Sequence, residues 1–170
     1  DDGSKLADGR AFADPLILAR LHKLLDRIVP EMVSRKAWLL SVGNEPDNML
    51  DDLGDDSPAG IAYWNNVVGF TRSARDHVRR LEPRLPVTMT LTQRGLEVGR
   101  ALYGPLIDVV DVAAFNYYCQ DRNWIVQDAS VVSGEIAQMV GLAGGRNVVL
   151  QEVGCPSGYT DRPSVVRGTA

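Results

Sequence analysis

Four short apolar runs separated by helix-length stretches limit this 170-residue chain to few folds. The runs cover 37–43, 87–92, 107–115 and 148–152, and each is rich in Val, Leu, Ile or other strand-forming residues. Strands alternating with helices at this spacing need crossover connections, and crossovers yield a parallel sheet. The expected class is therefore α/β. No internal repeat, linker or low-complexity tract divides 1–170, so one continuous domain is expected.

The stretches between the runs carry helix signals. Asp14-Pro15 reads as a cap followed by a first-turn proline, and Leu18, Leu21, Leu25, Ile28 and Met32 follow as an apolar stripe. Pro30 is expected to kink that helix or restart it. Ser57-Pro58 opens a second helix whose stripe is Ile61, Trp64, Val68, Thr71, Ala74, Val78 and Leu81, ended by Pro83 and Pro86. Trp64 on that stripe is expected to pack against the sheet. A short helical piece is expected at 96–102, and a longer one from Asp128 to the stop at Gly144-Gly145. The acidic stretch 48–56, with Asp51, Asp52, Asp55 and Asp56, lacks EF-hand spacing and reads as a solvated loop.

Composition sets the remaining bounds. A hydrophobic share of 45% with 24% charged residues suits a globular protein and argues against disorder. A net charge of −4 gives no footprint for nucleic acid or an anionic membrane, and the apolar runs are strand-sized, short of the roughly 20 residues of a membrane helix. The N-terminus, Asp1-Asp2-Gly3, reads as the start of a fragment or a processed chain, which leaves secreted and cytoplasmic locations open. Cys119 and Cys155 each follow soon after a proposed strand. A disulfide between them is conceivable, but two free, half-buried thiols are the expectation. His22 and His77 fall in proposed helices, and no Cys/His cluster has zinc spacing, so no metal and no cofactor is expected.

Two of the apolar runs end on a glutamate: the first leads into Asn44-Glu45-Pro46, and the last ends at Glu152. On these residues the chain resembles the clan of retaining glycoside hydrolases built on the (β/α)8 barrel. There the acid/base is the Glu of an Asn-Glu-Pro ending the fourth strand, and the nucleophile is a Glu ending the seventh. The resemblance implies a parallel TIM barrel, about half present, running from the third helix through the seventh strand. A whole barrel takes about 250 residues. The first three strands and the eighth would lie outside, with the clan's Arg near the second strand and its Trp on the eighth.

The implied function is hydrolysis of β-glycosidic bonds in an oligo- or polysaccharide by double displacement, with Glu45 as acid/base and Glu152 as nucleophile. Asn44 would bind the 2-hydroxyl of the sugar being cleaved. Where the clan often has His-X-Tyr ending the sixth strand, this chain has Asn116-Tyr117-Tyr118. Asn116 and Tyr118 fall on one side of that strand by alternation and would face the substrate, with Tyr118 toward the nucleophile. Trp124, in the following loop, would stack on a sugar or cover the core edge. The rival readings are a non-catalytic carbohydrate-binding or structural barrel fragment, and an unrelated parallel α/β enzyme. Half a barrel exposes two sheet edges, so these 170 residues by themselves are expected to be unstable, aggregation-prone or dimeric, and inactive.

Overall fold

The Asp14 carboxylate accepts the Leu16 N–H at 2.8 Å and Pro15 takes the first helical position, which starts α1, Pro15–Ser34. The computed structural model describes residues 11–93, 100–121 and 125–155. Pro30 does not restart the helix: α1 passes through it as one helix. Pro30 and Asp26, whose carbonyl loses its partner, are both exposed, so water can satisfy that carbonyl.

After α1 come β1 (Leu40–Asn44), a 3-10 turn (Pro46–Met49), the single-turn helix α2 (Leu50–Leu53), α3 (Pro58–Leu81), β2 (Val87–Thr92) and α4 (Arg100–Ile107). Then follow β3 (Ala113–Tyr118), a 3-10 turn (Ala129–Val131), α5 (Val132–Leu142) and β4 (Val148–Gly154). The four strands form one sheet in the order β1-β2-β3-β4, every neighbouring pair parallel. The chain is α/β with a four-stranded parallel sheet.

Two expectations need correction. The run 107–115 is a strand only from Ala113: Ile107 closes α4, and Val109, Val110 and Val112 are buried before the strand begins. A short apolar run does not distinguish a buried helix end from a strand. The stretch 48–56 is partly helical, and Leu50 within it is buried at 3% exposure.

Alternation divides the sheet into two unlike faces. Leu40, Val87, Met89, Leu91, Ala113, Phe115 and Tyr117 share one face and are buried against the helices. Their partners are Trp64 and Val67 of α3, Leu106 and Ile107 of α4, Met139 of α5, and Leu25 and Val29 of α1. Trp64 packs in this core, with its indole N–H donating to the Leu102 carbonyl at 2.7 Å. The opposite face carries Ser41, Thr88, Thr90, Thr92 and Asn116. Among the described residues the apolar packing of helix on strand falls on one side of the sheet, and the other side is polar. Among the described residues no helix is long and apolar enough to cross a membrane.

Between α1 and α3, the His22 and His77 rings stack at 4.2 Å, 10° from parallel. His77 Nε2 lies 2.7 Å from Asp26, and an Arg80 guanidinium N–H donates to His77 Nδ1 at 3.0 Å, which draws His77 as the Nε2–H tautomer. His22 Nε2 lies 2.9 Å from the Ser73 hydroxyl. Burial first, then the neighbouring His77 and Arg80, hold the His22 pKa below its ordinary 6.5. Below pH 6.5 the unfolded chain therefore takes up this proton more readily than the folded one, and stability falls as pH falls. The wild-type Tm is expected to drop toward that of His22→Gln on acidification from about pH 7.5 to about pH 5.5. A constant gap between the two melting temperatures would show that His22 contributes no such term.

Candidate active site

The polar face is shaped by two departures from strict alternation. In β1, Ser41 pairs with Thr88 and Asn44 with Thr90, so Val42 and Gly43 together oppose Met89. This is a bulge. A Cβ on Gly43 would lie 2.6 Å from the Met89 sulfur, so glycine leaves the room that this close approach needs. In β4, Phe115 pairs with Leu150 and Asn116 with Glu152, which leaves Gln151 as the extra residue. Were Gln151 paired in regular register with Asn116, Glu152 would oppose Tyr117 and turn toward the helices. With Gln151 as the extra residue, Glu152 lies beside Asn116 on the polar face.

Glu45 is the first residue beyond β1 and adopts a left-handed backbone, φ 52° and ψ 45°. For a residue with a Cβ that conformation costs roughly 1–2 kcal/mol. Neighbouring groups hold it. Glu45 N–H donates to the Thr90 carbonyl at 2.8 Å, Asn48 N–H donates to the Glu45 carbonyl at 3.2 Å, and the Tyr63 hydroxyl donates to the Pro46 carbonyl at 2.8 Å. The Glu45 carboxylate accepts Asn116 Nδ2 on Oε1 at 2.8 Å and Asn48 Nδ2 on Oε2 at 3.0 Å. Asn116 Nδ2 also donates to Asn44 Oδ1 at 3.1 Å.

Two positions further along β3, the Tyr118 hydroxyl donates to Glu152 Oε2 at 2.7 Å. The bond to Glu152 is the main cause of a raised Tyr118 pKa, followed by burial and by the charges of Glu152 and Glu45. The phenol thus senses both carboxylates. Its ring lies against Gly154, where a Cβ would come within 2.6 Å of Tyr118 Cε1. Its backbone N–H donates to Gln93 Oε1 at 2.5 Å, and Gln93 Nε2 donates to the Gln120 carbonyl at 3.0 Å. Tyr117, one residue earlier, faces the helices and donates to Glu135 at 2.7 Å; burial and that carboxylate push its pKa up to about 12.

The structure therefore brings together Asn44, Glu45, Asn116, Tyr118 and Glu152 at the C-terminal ends of β1, β3 and β4. Trp124 lies outside the described residues. Four supporting residues are not apparent from the sequence reading: Asn48, Gln93, Gln151 and Asp47. Asn48 follows Glu45 by three positions, a one-turn spacing that was there to be read. Gln151 accepts the Thr90 hydroxyl across β3, where Ala114 leaves room, and Ser41 Oγ lies 2.8 Å from the same Thr90 oxygen. Asp47 is buried at 5% exposure, and burial pushes its pKa up against the donors that favour its anion. Burial and the Asp47 charge in turn raise Tyr63 to about 12, and Tyr103 rises from the same causes. Among the described residues, no three His, Cys, Asp or Glu side chains converge as metal ligands.

The cysteines overturn the expectation of free thiols: Cys119 and Cys155 form a disulfide, Cα–Cα 5.2 Å. Tyr118 and Gly154 are register partners on adjacent strands, so the next residue of each strand sits side by side, and Cys119 N–H donates to the Gly154 carbonyl at 3.2 Å. The bridge fastens the strand ends that carry Tyr118 and Glu152. It closes a loop of sequence separation 36, for which chain entropy gives roughly 3–4 kcal/mol. Cys155→Ser is expected to lower Tm by about the amount that reduction lowers it in the wild type. Two thiols titrating in the untreated folded protein would contradict the bridge.

No family model matches the chain, and no curated protein matches it.

Proposed function

We propose that this chain carries the two catalytic carboxylates of a retaining glycoside hydrolase acting on β-linked sugars, on four consecutive strands of a (β/α)8 barrel. One observation carries the reading. Asn116 and Tyr118, two residues apart on one strand, hold Glu45 and Glu152 respectively, and Asn116 is also the register partner of Glu152. Both carboxylates are thereby referred to the same three residues of β3. Among the described residues the helices pack on one face of the sheet, which also supports a barrel, because a doubly wound sheet covers both faces.

The chemistry follows from the hydrogen bonds. Retention requires a carboxylate to attack the anomeric carbon while a carboxylic acid about 5–5.5 Å away protonates the departing oxygen. Glu152 Oε2 is held by the Tyr118 hydroxyl, which leaves Oε1 to form the bond to carbon. Glu45 has one oxygen fixed by buried Asn116 and the other beside exposed Asn48, whose amide can turn to accept the carboxylic proton. As the C–O bond breaks, that proton passes from Glu45 to the leaving alkoxide and Glu152 is esterified. Water then gives a proton to Glu45, its oxygen bonds the anomeric carbon, and the Glu152 carboxylate is released. Asn44, exposed beside Glu45, meets the sugar hydroxyl next to the anomeric carbon.

The test uses the full natural protein with β-glycosides of glucose, galactose, mannose and xylose. Glu152→Ala is expected to abolish turnover of all of them. Glu45→Ala should lose roughly 10²- to 10⁴-fold on phenyl glycosides and far less on 2,4-dinitrophenyl glycosides, whose leaving group needs no proton. Azide should restore Glu45→Ala with a glycosyl azide of retained configuration, and Glu152→Ala with the inverted one. The opposite stereochemistry would exchange the roles, and a wild type that binds but never cleaves would leave a sugar-binding protein.

A further inference from the structure

The proposed acid/base sits on a backbone that is unfavourable for it, and what keeps it there lies outside the residues that touch the sugar. Glu45 pays for its left-handed conformation next to a strand that would otherwise continue or turn freely. The 3-10 turn that follows has one fully buried side chain, Asp47, while Met49 packs at the core's margin. The Asp47 carboxylate accepts Thr92 N–H on both oxygens, at 3.2 and 3.0 Å, the Thr92 hydroxyl at 2.5 Å and the Tyr103 hydroxyl at 2.9 Å. Thr92 ends β2 and is the register partner of Asn116, which holds the Glu45 carboxylate. The connection forms a closed circuit from Glu45 through its own turn to Asp47, across to Thr92, along the sheet to Asn116 and back to Glu45.

We propose that Asp47 is the positioning residue of the acid/base, fixing the turn so that Glu45 stays left-handed with its carboxyl against Asn116. The inference rests on the glycosidase reading and adds to it a residue that never meets substrate. A buried carboxylate is expensive to retain, and a hydrophobic residue would fill the same space at lower cost. Three donors from two elements, one of them shared between both carboxylate oxygens, give Asp47 a directional hold on the turn that apolar packing lacks. Glu152 depends on β3, β4 and the disulfide, so loss of Asp47 should weaken acid catalysis and spare the nucleophile.

That asymmetry separates positioning from general support. Asp47→Asn and Asp47→Ala in the full natural protein should lose at least about 30-fold in kcat/KM, which reports the glycosylation step, on phenyl β-glycosides and no more than about threefold on the 2,4-dinitrophenyl compounds. Tyr103→Phe removes a single donor and should show the same signature more weakly, which keeps the test available if the Asp47 variants do not fold. Equal losses on both leaving groups, or an unchanged Tyr103→Phe together with unfolded Asp47 variants, would overturn the positioning role while leaving an active glycosidase. A wild type that cleaves none of the glycosides would instead remove the glycosidase reading, and this inference with it.

Discussion

The polar face depends on one extra residue in each outer strand, directly before Glu152 in β4 and directly before Asn44 in β1. Strict alternation along β4 would send Glu152 toward the helices, into the space beside Tyr117; the bulge at Gln151 reverses it. In β1 the bulge at Val42 and Gly43 turns Asn44 onto the polar face, and the left-handed Glu45 brings its carboxyl back to the same side. A bulge disturbs a ladder, and both lie in the first and last of the four described strands. The two central strands keep their regular pairing and supply the fixed residues, Thr90, Thr92 and Asn116, to which the outer ones are tied.

Apolar and polar burial are thereby separated by face. Phe115, Leu91, Met139 and Ile107 are almost wholly buried on the helix side, each worth about 1.5–3 kcal/mol of apolar transfer. The other side buries Thr88, Thr90 and Asn116, groups that repay burial only through hydrogen bonds. Asn116 meets two acceptors with one amide nitrogen, which fixes its orientation, since a flipped amide would set its oxygen against Asn44 Oδ1 and Glu45 Oε1. Its own oxygen is buried without a partner among the described residues. That orientation gives the amide N–H groups to Glu45 and Asn44.

Much of the fold was legible because it rests on local signals. Asp14-Pro15 and Ser57-Pro58 start helices as capping chemistry requires, and β2 covers the alternating run 87–92. The glutamates were legible as residues at strand ends, and Tyr118 could be separated from Tyr117 by period-two alternation alone. What the sequence did not reveal was register. The disulfide follows from Tyr118 pairing with Gly154, and Glu152 reaches the polar face through a bulge that no residue type announces. Asp47 was hidden for a related reason. It lies in an acidic stretch whose other aspartates are mostly at the surface, and only the packing of Thr92 and Tyr103 sets it apart.

The central claim is that Glu152 bonds covalently to the sugar and Glu45 does not. Inactivation of the full natural protein with 2-deoxy-2-fluoro-β-glycosyl fluorides, followed by peptide mapping, tests it directly. The slow-hydrolysing intermediate is expected on the peptide containing Glu152, with the mass of one fluorosugar and the site fixed by fragmentation. A label on Glu45 or elsewhere, or brisk hydrolysis with an inverted product and no label at all, would contradict the account.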